Sequence, residues 1–417
     1  MSPEPFVIGH ETIAGCRSCG STALQPVLDL GVTPLADRLL NEQTLREPEP
    51  LCPLTVWACP ACSLLQIRET VPPEVLFGAD YPYFSSVSDA LMRHFRGTVD
   101  AAMARRPVGR TGLVVELASN DGYLLRHYVE AGVPVLGIDP AAGPVEVARK
   151  RGVDTLHAFF TRQLAQELAG SGRVADIVHA NNVLAHVADT NGFVAGIATI
   201  LKDDGLAVIE CPYVRDLVDA CEFDTIYHQH LCYFSLTALD ALFRRHGLYL
   251  ADVERVPIHG GTLRLFLSKR DAPQAAVARL LAEERALGLD RPAYFTNFAD
   301  RVRALRSSLR ALLDGIRQDG RRVVGYGAAA KACTMLAYTG IGANYLECLV
   351  DRSGFKQGRY FPGCHLPIRH PDWLLESQPD YTLLLPWNFA SEIMEQQSEY
   401  RRRGGKFIVP VPSPEIL

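Results

Sequence analysis

The stretches Val114-Val-Glu-Leu-Ala-Ser-Asn-Asp-Gly122 and Gly137-Ile-Asp-Pro140 decide the fold of this chain. The first begins in a short apolar run that predicts a buried strand, places Glu116 at the end of that strand, and closes in a turn at Gly122 before a predicted helix. The second ends another apolar run in Asp139. An acidic residue at the tip of the second strand of an open α/β sheet is placed to accept hydrogen bonds from ribose hydroxyls. The two stretches therefore predict an α/β domain with a nucleoside site.

The turn indicates which nucleoside ligand fits. It contains a single glycine, Gly122, whereas dinucleotide-binding folds use three to bring the backbone close to a pyrophosphate. A nucleoside cofactor without phosphates fits better, and we predict S-adenosylmethionine (SAM). Glu116 and Asp139 are its expected acidic contacts, and Phe159 and Phe160 are expected to flank the adenine. The same residues would also suit an ordinary strand, turn and helix without a ligand.

Length and composition narrow the class of protein. A chain of 417 residues predicts two or three domains, and a hydrophobic content of 48% with 21% charged residues is that of a globular protein. The net charge of −5 argues against binding nucleic acid through bulk electrostatics. No apolar stretch is long enough for a membrane span, and the N-terminus resembles no secretory signal. Eleven cysteines then point to reduced thiols or bound metal in a cytoplasmic protein.

Strand-like and helix-like segments alternate through the middle of the chain. A helix with Leu91, Phe95 and Val99 on one face precedes them. This alternation predicts a doubly wound parallel sheet. The predicted strands are Leu113–Leu117, Val133–Ile138, Ile177–Ala180 and Leu206–Cys211, with closing strands within Phe243–Leu267.

A second α/β unit follows a long amphipathic helical region over 275–318 that is interrupted near Pro292. It begins with Gly325-Tyr-Gly327, which joins a strand to a helix and allows close backbone approach. The helix N-terminus with Lys331 could hold a diphosphate, and Lys356 and Arg359 add positive charge nearby. The signal is weak, because glycine pairs are common at strand–helix turns. Further predicted strands are Leu346–Val350, Tyr381–Leu385 and Phe407–Val411.

Two C-x2-C knuckles lie near the N-terminus. Cys16 and Cys19 form the first, and Cys59 and Cys62 form the second. Each knuckle can present two thiolates to one tetrahedral Zn²⁺, and four thiolates leave no open position on the metal. We therefore predict a structural zinc site, which would help a segment with short apolar runs to fold; the alternative is four free cysteines that share this spacing by chance. Cys52 lies outside both knuckles and is expected to take no part.

The segment Phe223–Ser235 holds the densest set of polar and titratable groups. Tyr227, His228 and His230 follow the strand Leu206–Cys211, at the edge of the sheet where open α/β folds bind ligands. A histidine can take up a proton near neutral pH. His186 follows the preceding predicted strand and should approach the same edge. A weaker candidate is His259-Gly-Gly261, where the glycines also suit a simple turn.

The order of these features resembles the SAM-dependent C-methyltransferases of deoxysugar biosynthesis. The resemblance covers nearly the whole chain and implies a small four-cysteine zinc domain (1–72), a class I, Rossmann-like methyltransferase domain (73–258) and a C-terminal Rossmann-like α/β domain (259–417) that helps to hold a nucleotide sugar. The matching pieces are the two knuckles, Tyr81-Pro-Tyr-Phe-Ser-Ser86, Glu116…Asn120-Asp-Gly122, Asn182…His186, Ile226-Tyr-His-Gln-His230, Val256-Pro-Ile-His-Gly-Gly261 and Val324-Gly-Tyr-Gly-Ala-Ala-Ala-Lys331.

The resemblance also implies roles for individual residues. The implied catalytic groups are Tyr83, His186, Tyr227, His230 and Asn182. Relatives have a Tyr-x-Glu-His pattern, but this chain has Gln229 at the glutamate, and a glutamine can orient or donate a hydrogen bond without accepting a proton. His230 is therefore the expected base. Asn120 and Gly122 join the expected SAM contacts, and the expected substrate contacts are Tyr81, Ser85, His259, Gly260, Tyr326, Lys331, Lys356 and Arg359.

The expected reaction is C-methylation of a TDP-4-keto-deoxysugar, most simply at C-3, in deoxysugar or antibiotic biosynthesis. The alternative is an NADPH-dependent ketoreductase, alone or coupled to methylation, with Gly325 and Gly327 at the cofactor. Against it, Ala330 stands where a third glycine would complete the dinucleotide motif. A zinc-ribbon protein that binds nucleic acid is a second alternative, disfavoured by the acidic charge. The sequence leaves open the sugar, C-3 against C-5 methylation, and the oligomeric state.

Overall fold

A computed structural model of the chain describes residues 4–77, 85–87, 89–258 and 260–417. Three sheets of five, seven and six strands follow one another, with a separate two-stranded ribbon near the N-terminus. One cluster of buried apolar side chains includes Leu54, Ile209 and Leu349, one from each large sheet. The three sheets therefore share a continuous core. In the described part of the chain, no helix is both long and apolar enough to cross a membrane.

The N-terminal region is built on the long antiparallel pair β3 and β4. Alternate residues of β4 are buried, as expected for a strand with one face on a core. Its elements are β1 (Phe6–Val7), β2 (Glu11–Thr12), β3 (Gln25–Pro34), β4 (Pro50–Ala58), β5 (Leu65–Ile67), β6 (Glu69–Thr70) and α1 (Pro73–Leu76).

The central region forms the seven-stranded sheet, in the order β13-β14-β11-β10-β7-β8-β9. Strands β7 to β11 are parallel, and β14 is antiparallel to its neighbours β11 and β13. The strands of this sheet are β7 (Val114–Leu117), β8 (Val135–Asp139), β9 (Thr155–His157), β10 (Ala175–Asn181), β11 (Leu201–Pro212), β13 (Tyr249–Val256) and β14 (Thr262–Ser268). The short strand β12 (Cys232–Tyr233) lies in the same region of the chain but pairs with β5 of the N-terminal sheet. The helices of the central region are α2 (Asp89–Arg105), α3 (Leu125–Glu130), α4 (Ala142–Lys150), α5 (Arg162–Gly170), α6 (Thr190–Ile200), α7 (Val214–Asp219) and α8 (Leu236–Arg244).

Both faces of this sheet are covered, which explains the continuous apolar runs. Val114 faces the same cluster as Leu91, Phe95 and Val99, the predicted apolar face of α2. Val115 faces the opposite cluster, with α5, α6 and α8. The predicted doubly wound parallel sheet is confirmed.

The C-terminal region forms the six-stranded sheet, in the order β17-β16-β15-β18-β19-β20. Its first five strands are parallel and β20 is antiparallel, so the order is that of a Rossmann fold. Its elements are α9 (Ala275–Leu287), α10 (Phe298–Gln318), β15 (Val323–Tyr326), α11 (Ala330–Thr339), β16 (Leu349–Val350), β17 (Ile368–Arg369), α12 (Trp373–Ser377), β18 (Tyr381–Leu384), α13 (Ala390–Gln396), α14 (Ser398–Arg402), β19 (Lys406–Val409) and β20 (Glu415–Ile416).

Some elements differ from the sequence expectation. The short strand β9 was not predicted, because three residues give too little periodicity to detect. The helix expected over 123–128 is α3 and starts at Leu125. The expected domain limit at 258 falls between β13 and β14, which pair in the central sheet, so that sheet continues beyond the limit. The domain limits themselves stay predictions.

Candidate functional site

The four knuckle cysteines converge on one point. The sulphurs of Cys16, Cys19, Cys59 and Cys62 all lie within 4.8 Å of one another. The Sγ atoms of Cys16 and Cys62 are 3.5 Å apart, and those of Cys19 and Cys59 are 3.6 Å apart. Four thiolates about 2.3 Å from one tetrahedral metal ion would be separated by a little under 4 Å. The residues therefore fit a zinc ion with a closed, structural coordination shell.

Cys52 takes no part in this cluster among the described residues. It is fully buried in β4, and burial raises the pKa of its thiol to about 12. Cys52 packs with Leu35 and Val71 in a small buried cluster.

The first strand of the central sheet ends in a buried acid. Glu116 has no exposed surface, and neither of its carboxylate oxygens makes a hydrogen bond of normal length within the described chain. Burial raises the pKa of Glu116 well above its ordinary value, and Asp139 raises it further, although Tyr123 and Asn181 lie near enough to oppose this. An unpaired buried carboxyl is costly, and a cationic ligand would relieve that cost. This observation fits SAM, which carries positive charge at sulphur.

Asp139 braces the turn that follows Glu116. Its Oδ2 accepts a hydrogen bond from the backbone N–H of Asn120, and its Oδ1 accepts one from Ala141, both at 2.8 Å. Asp139 is therefore a loop brace, and since each carboxylate oxygen can accept a second bond, ribose hydroxyls can still be bound. The positive φ of Gly122 is +75°, and a Cβ there would lie 2.9 Å from Val153. The turn thus requires the glycine.

The two expected adenine contacts, Phe159 and Phe160, lie in different surroundings. Phe160 packs edge-on against Phe193, with ring centroids 5.4 Å apart, in the α5–α6 layer. Phe159 is 41% exposed and stays available to a ligand. Ser85 donates its backbone N–H to Asn120 Oδ1 at 3.0 Å. This hydrogen bond attaches Ser85 to the turn that follows β7.

Tyr227 and His230 form a directed hydrogen-bond relay. The Nδ1 of His230 lies 2.7 Å from the carbonyl oxygen of Thr225, which can only accept, so Nδ1 carries the proton. In the neutral ring Nε2 then holds a lone pair and accepts a hydrogen bond from the Tyr227 hydroxyl at 2.9 Å. Both residues also make other contacts. The arrangement can take up a proton at Nε2 while the Thr225 carbonyl stabilises the imidazolium.

His186 approaches the relay from the neighbouring strand connection. Its ring lies edge-on to His230, with centroids 4.7 Å apart. Burial lowers the pKa of His186 to about 4, so the ring is neutral near pH 7. Its Nδ1 has no hydrogen-bond partner in the described structure, and the Oδ1 of Asn182 has none either. Both atoms are therefore buried polar groups without a hydrogen-bond partner among the described residues.

The two residues between Tyr227 and His230 are structural. His228 is 1% exposed and donates from Nε2 to the carbonyl of Pro53 at 3.0 Å, and burial lowers its pKa to about 4. Gln229 is 2% exposed, and its Nε2 lies 3.5 Å from the carbonyl of Ala36. Gln229 therefore orients the loop against the N-terminal sheet, as a glutamine can.

The C-terminal candidates are more buried than their sequence suggested. Lys331 Nζ lies 2.5 Å from Asn388 Oδ1 and 4.2 Å from the centre of the Trp387 ring. Lys356 is 9% exposed and donates to the carbonyl of Ala328 at 2.7 Å. Tyr326 is 3% exposed and belongs to the core of the third sheet. Lys331 and Lys356 therefore have polar partners within the chain, whereas Tyr326 is held by packing.

Two other candidate substrate contacts, Arg359 and Gly260, are partly exposed. Arg359 is half-buried, and Gly260 lies against the carboxylate of Glu222. Tyr81, Tyr83 and His259, also named as candidates, fall outside the described residues.

Sequence reasoning missed two features. Thr225 contributes only a backbone carbonyl, which no residue pattern reveals. Asp351 follows β16 and accepts hydrogen bonds from the backbone N–H groups of Ala328 at 2.7 Å and Ser353 at 2.8 Å. An acid after an apolar pair was a visible signal, and it was overlooked in this second unit.

Three family models match the chain in succession. They are described as "Putative zinc binding domain" over residues 16–77, "Methyltransferase domain" over 92–253 and "C-methyltransferase C-terminal domain" over 257–412. The C-methyltransferase NovU of Streptomyces niveus is 38% identical over 405 residues, which is 96% of each chain. The ubiquinone biosynthesis O-methyltransferase of Azorhizobium caulinodans is 29% identical over 125 residues, 30% of this chain and 47% of that protein.

Among solved structures, the magnesium protoporphyrin IX methyltransferase of Synechocystis PCC 6803 with bound SAM is 15% identical, covers 42% of this chain and 78% of its own, and has a TM-score of 0.33. The full-length match to a C-methyltransferase confirms the resemblance found in the motifs. None of the three family models is a reductase domain, so the comparisons do not support the NADPH-dependent alternative. The chain belongs to the family of SAM-dependent C-methyltransferases.

Proposed function

We propose that this enzyme methylates carbon, most simply C-3, of a TDP-linked 4-keto-deoxysugar through an enolate. The Tyr227–His230–Thr225 relay is the observation that carries this proposal. Carbon becomes a nucleophile toward a methyl donor when a proton is removed beside a carbonyl group. In the relay, Nε2 of His230 accepts the hydrogen bond of the Tyr227 hydroxyl, so a proton can pass from Tyr227 to His230 at the carboxyl edge of the sheet that would bind SAM.

In the proposed reaction the Tyr227 hydroxyl gives its proton to Nε2 of His230 while the Tyr227 oxygen takes the C-3 proton, so His230 is the base of the pair. The electron pair of the broken C–H bond moves into the enolate, so charge develops on the C-4 oxygen. Thr225 holds the imidazolium through Nδ1. Gln229 stays neutral and keeps the loop in place.

His186 and Asn182 are proposed to face the developing enolate oxygen, together with Tyr83. A neutral His186 can donate one ring N–H to that oxygen, and its low pKa keeps it from competing for the proton. Preorganised donors of this kind contribute about 100- to 1,000-fold each in rate.

When bound, SAM supplies the methyl group and leaves as S-adenosylhomocysteine after the enolate carbon forms the new C–C bond. Glu116, Asn120, Gly122 and Asp139 are proposed to hold it, with Phe159 at the adenine. Zinc is proposed to be held by the four cysteines and to take no part in the proton transfer.

The test separates deprotonation from methylation. A panel of TDP-4-ketosugars is incubated with enzyme in D₂O without SAM, and mass spectrometry follows C–H exchange. A second incubation with SAM looks for the gain of one methyl group. NMR of the product reports C-3 or C-5 as the methylated carbon.

His230→Asn removes the Nε2 base, and we expect both exchange and methylation to fall by about 100- to 10,000-fold. His370→Asn is the control, because His370 is an exposed histidine of the C-terminal region that pairs with Asp372. Turnover of His230→Asn at the rate of the control would overturn the role of His230.

A further inference from the structure

A strand of the zinc region is paired with the end of the catalytic loop. Strand β5 follows Cys62 closely, and β12 begins two residues after His230. The two strands are antiparallel, with Gln66 opposite Cys232 and Leu65 opposite Tyr233. The backbone N–H of Ile67 also donates to the carbonyl of Leu231 at 3.0 Å.

Gln66 joins this strand pair to the first knuckle. Its side chain is fully buried, and its Oε1 accepts a hydrogen bond from the backbone N–H of Arg17 at 2.9 Å. Arg17 lies between the two ligands of that knuckle, and its Nε donates to the carbonyl of Ile67 at 3.2 Å. The Nε2 of Gln66 has no oxygen or nitrogen partner in the described structure and lies beside Cys16. A zinc-bound thiolate there would accept its hydrogen bond.

Residues in and just before β12 make hydrogen bonds to the backbone of His230 and to the residue before His186. The Tyr233 hydroxyl donates to the backbone carbonyl of His230 at 2.9 Å. The backbone N–H of Leu231 donates to the carbonyl of Ala185 at 2.7 Å, immediately before His186. A shift of β12 would therefore move His230 relative to His186.

We propose that Gln66 is a positioning residue that couples the zinc knuckle to His230 through the pairing of β5 with β12. The zinc site then sets catalytic geometry as well as stability. The catalytic consequence rests on the proposed function of His230, whereas the mechanical coupling does not.

The test compares Gln66→Met, which keeps a long unbranched side chain but removes both hydrogen bonds, with Cys52→Ala. The control loses a buried group of the same sheet and leaves the knuckles and β12 untouched. For Gln66→Met we expect kcat to fall about 10- to 100-fold. The KM for SAM stays unchanged, and hydrogen–deuterium exchange rises in 230–234. Cys52→Ala changes neither kcat nor exchange in that segment beyond twofold.

A chelator series on the unsubstituted enzyme gives a readout that does not depend on the variant folding. As zinc is removed, exchange in 230–234 should rise before the central sheet loses protection. Unchanged exchange in this segment, in Gln66→Met or after zinc removal, would overturn the coupling. Raised exchange together with a fully active His230→Asn would instead overturn the proposed function and leave the coupling in place.

Discussion

The central and C-terminal sheets use the same brace in their first loops. In each, an aspartate at the end of the second strand accepts one hydrogen bond from the first strand–helix loop and one from the residue two positions later. Asp139 binds the N–H groups of Asn120 and Ala141, and Asp351 binds those of Ala328 and Ser353. This shared brace is a property of the Rossmann-like topology, because parallel neighbouring strands end at the same edge.

The loops differ in what they leave unsatisfied. The first ends on Glu116, a buried carboxyl without a hydrogen bond of normal length in the described structure. The second is closed on both sides, because Ala328 donates to Asp351 and accepts from Lys356. The comparison teaches that a shared brace does not imply a shared ligand. The central loop follows a buried carboxyl that has no hydrogen-bond partner among the described residues, whereas Ala328 of the C-terminal loop is bonded through both its N–H and its carbonyl.

Among the changes that test this comparison, removing each brace in turn should have the largest effect. Asp139→Ala should weaken SAM by roughly 1.5–3 kcal/mol, the range for hydrogen bonds to a charged group, because two ribose hydroxyls lose their acceptor. Asp351→Ala should leave SAM affinity within twofold of the wild type. Isothermal titration of both variants measures this. Equal losses would mean that the two braces act only through stability.

A smaller effect should appear in the pH dependence of SAM binding. The pKa of Glu116 in the free protein is raised by burial, and a bound cation favours the carboxylate, so binding releases a proton. SAM affinity should therefore rise with pH, by at most about tenfold per pH unit for one proton, until the pH exceeds the raised pKa. Glu116→Gln should flatten this slope. Titrations in two buffers of different ionisation enthalpy detect the proton, and a wild-type slope in the variant would exclude Glu116 as its source.

The smallest effect is expected at Tyr326, in the closed sheet. Its hydroxyl is buried without a hydrogen-bond partner in the described structure. Tyr326→Phe should leave the free energy of unfolding unchanged or raise it by up to about 1 kcal/mol, because a buried unsatisfied group is removed. The KM for the sugar nucleotide should not change. A raised KM for the sugar nucleotide with unaltered stability would instead support Tyr326 as a substrate contact.

The sequence predicted features whose signal is local. Apolar runs located most strands of both sheets, although not β9, β17 or β20, and the two C-x2-C spacings identified all four cysteines that converge. It gave no sign of contacts between residues that are distant along the chain. Lys356, expected to add positive charge near a diphosphate, is buried, donates to the carbonyl of Ala328 and lies 4.0 Å from Asp37. The charge of a lysine can be read from the sequence, whereas the carbonyl that accepts its hydrogen bond in the fold cannot.

The sequence alone therefore determined the α/β fold class, the four cysteines that cluster and the family, because periodicity and spacing are written in consecutive residues. Only the tertiary structure decided how the parts act together. The pairing of β5 with β12 joins Gln66 to a strand far along the chain, and the Thr225 carbonyl determines which nitrogen of His230 carries the proton. Both depend on backbone groups, which every residue possesses and which therefore leave no mark in the sequence.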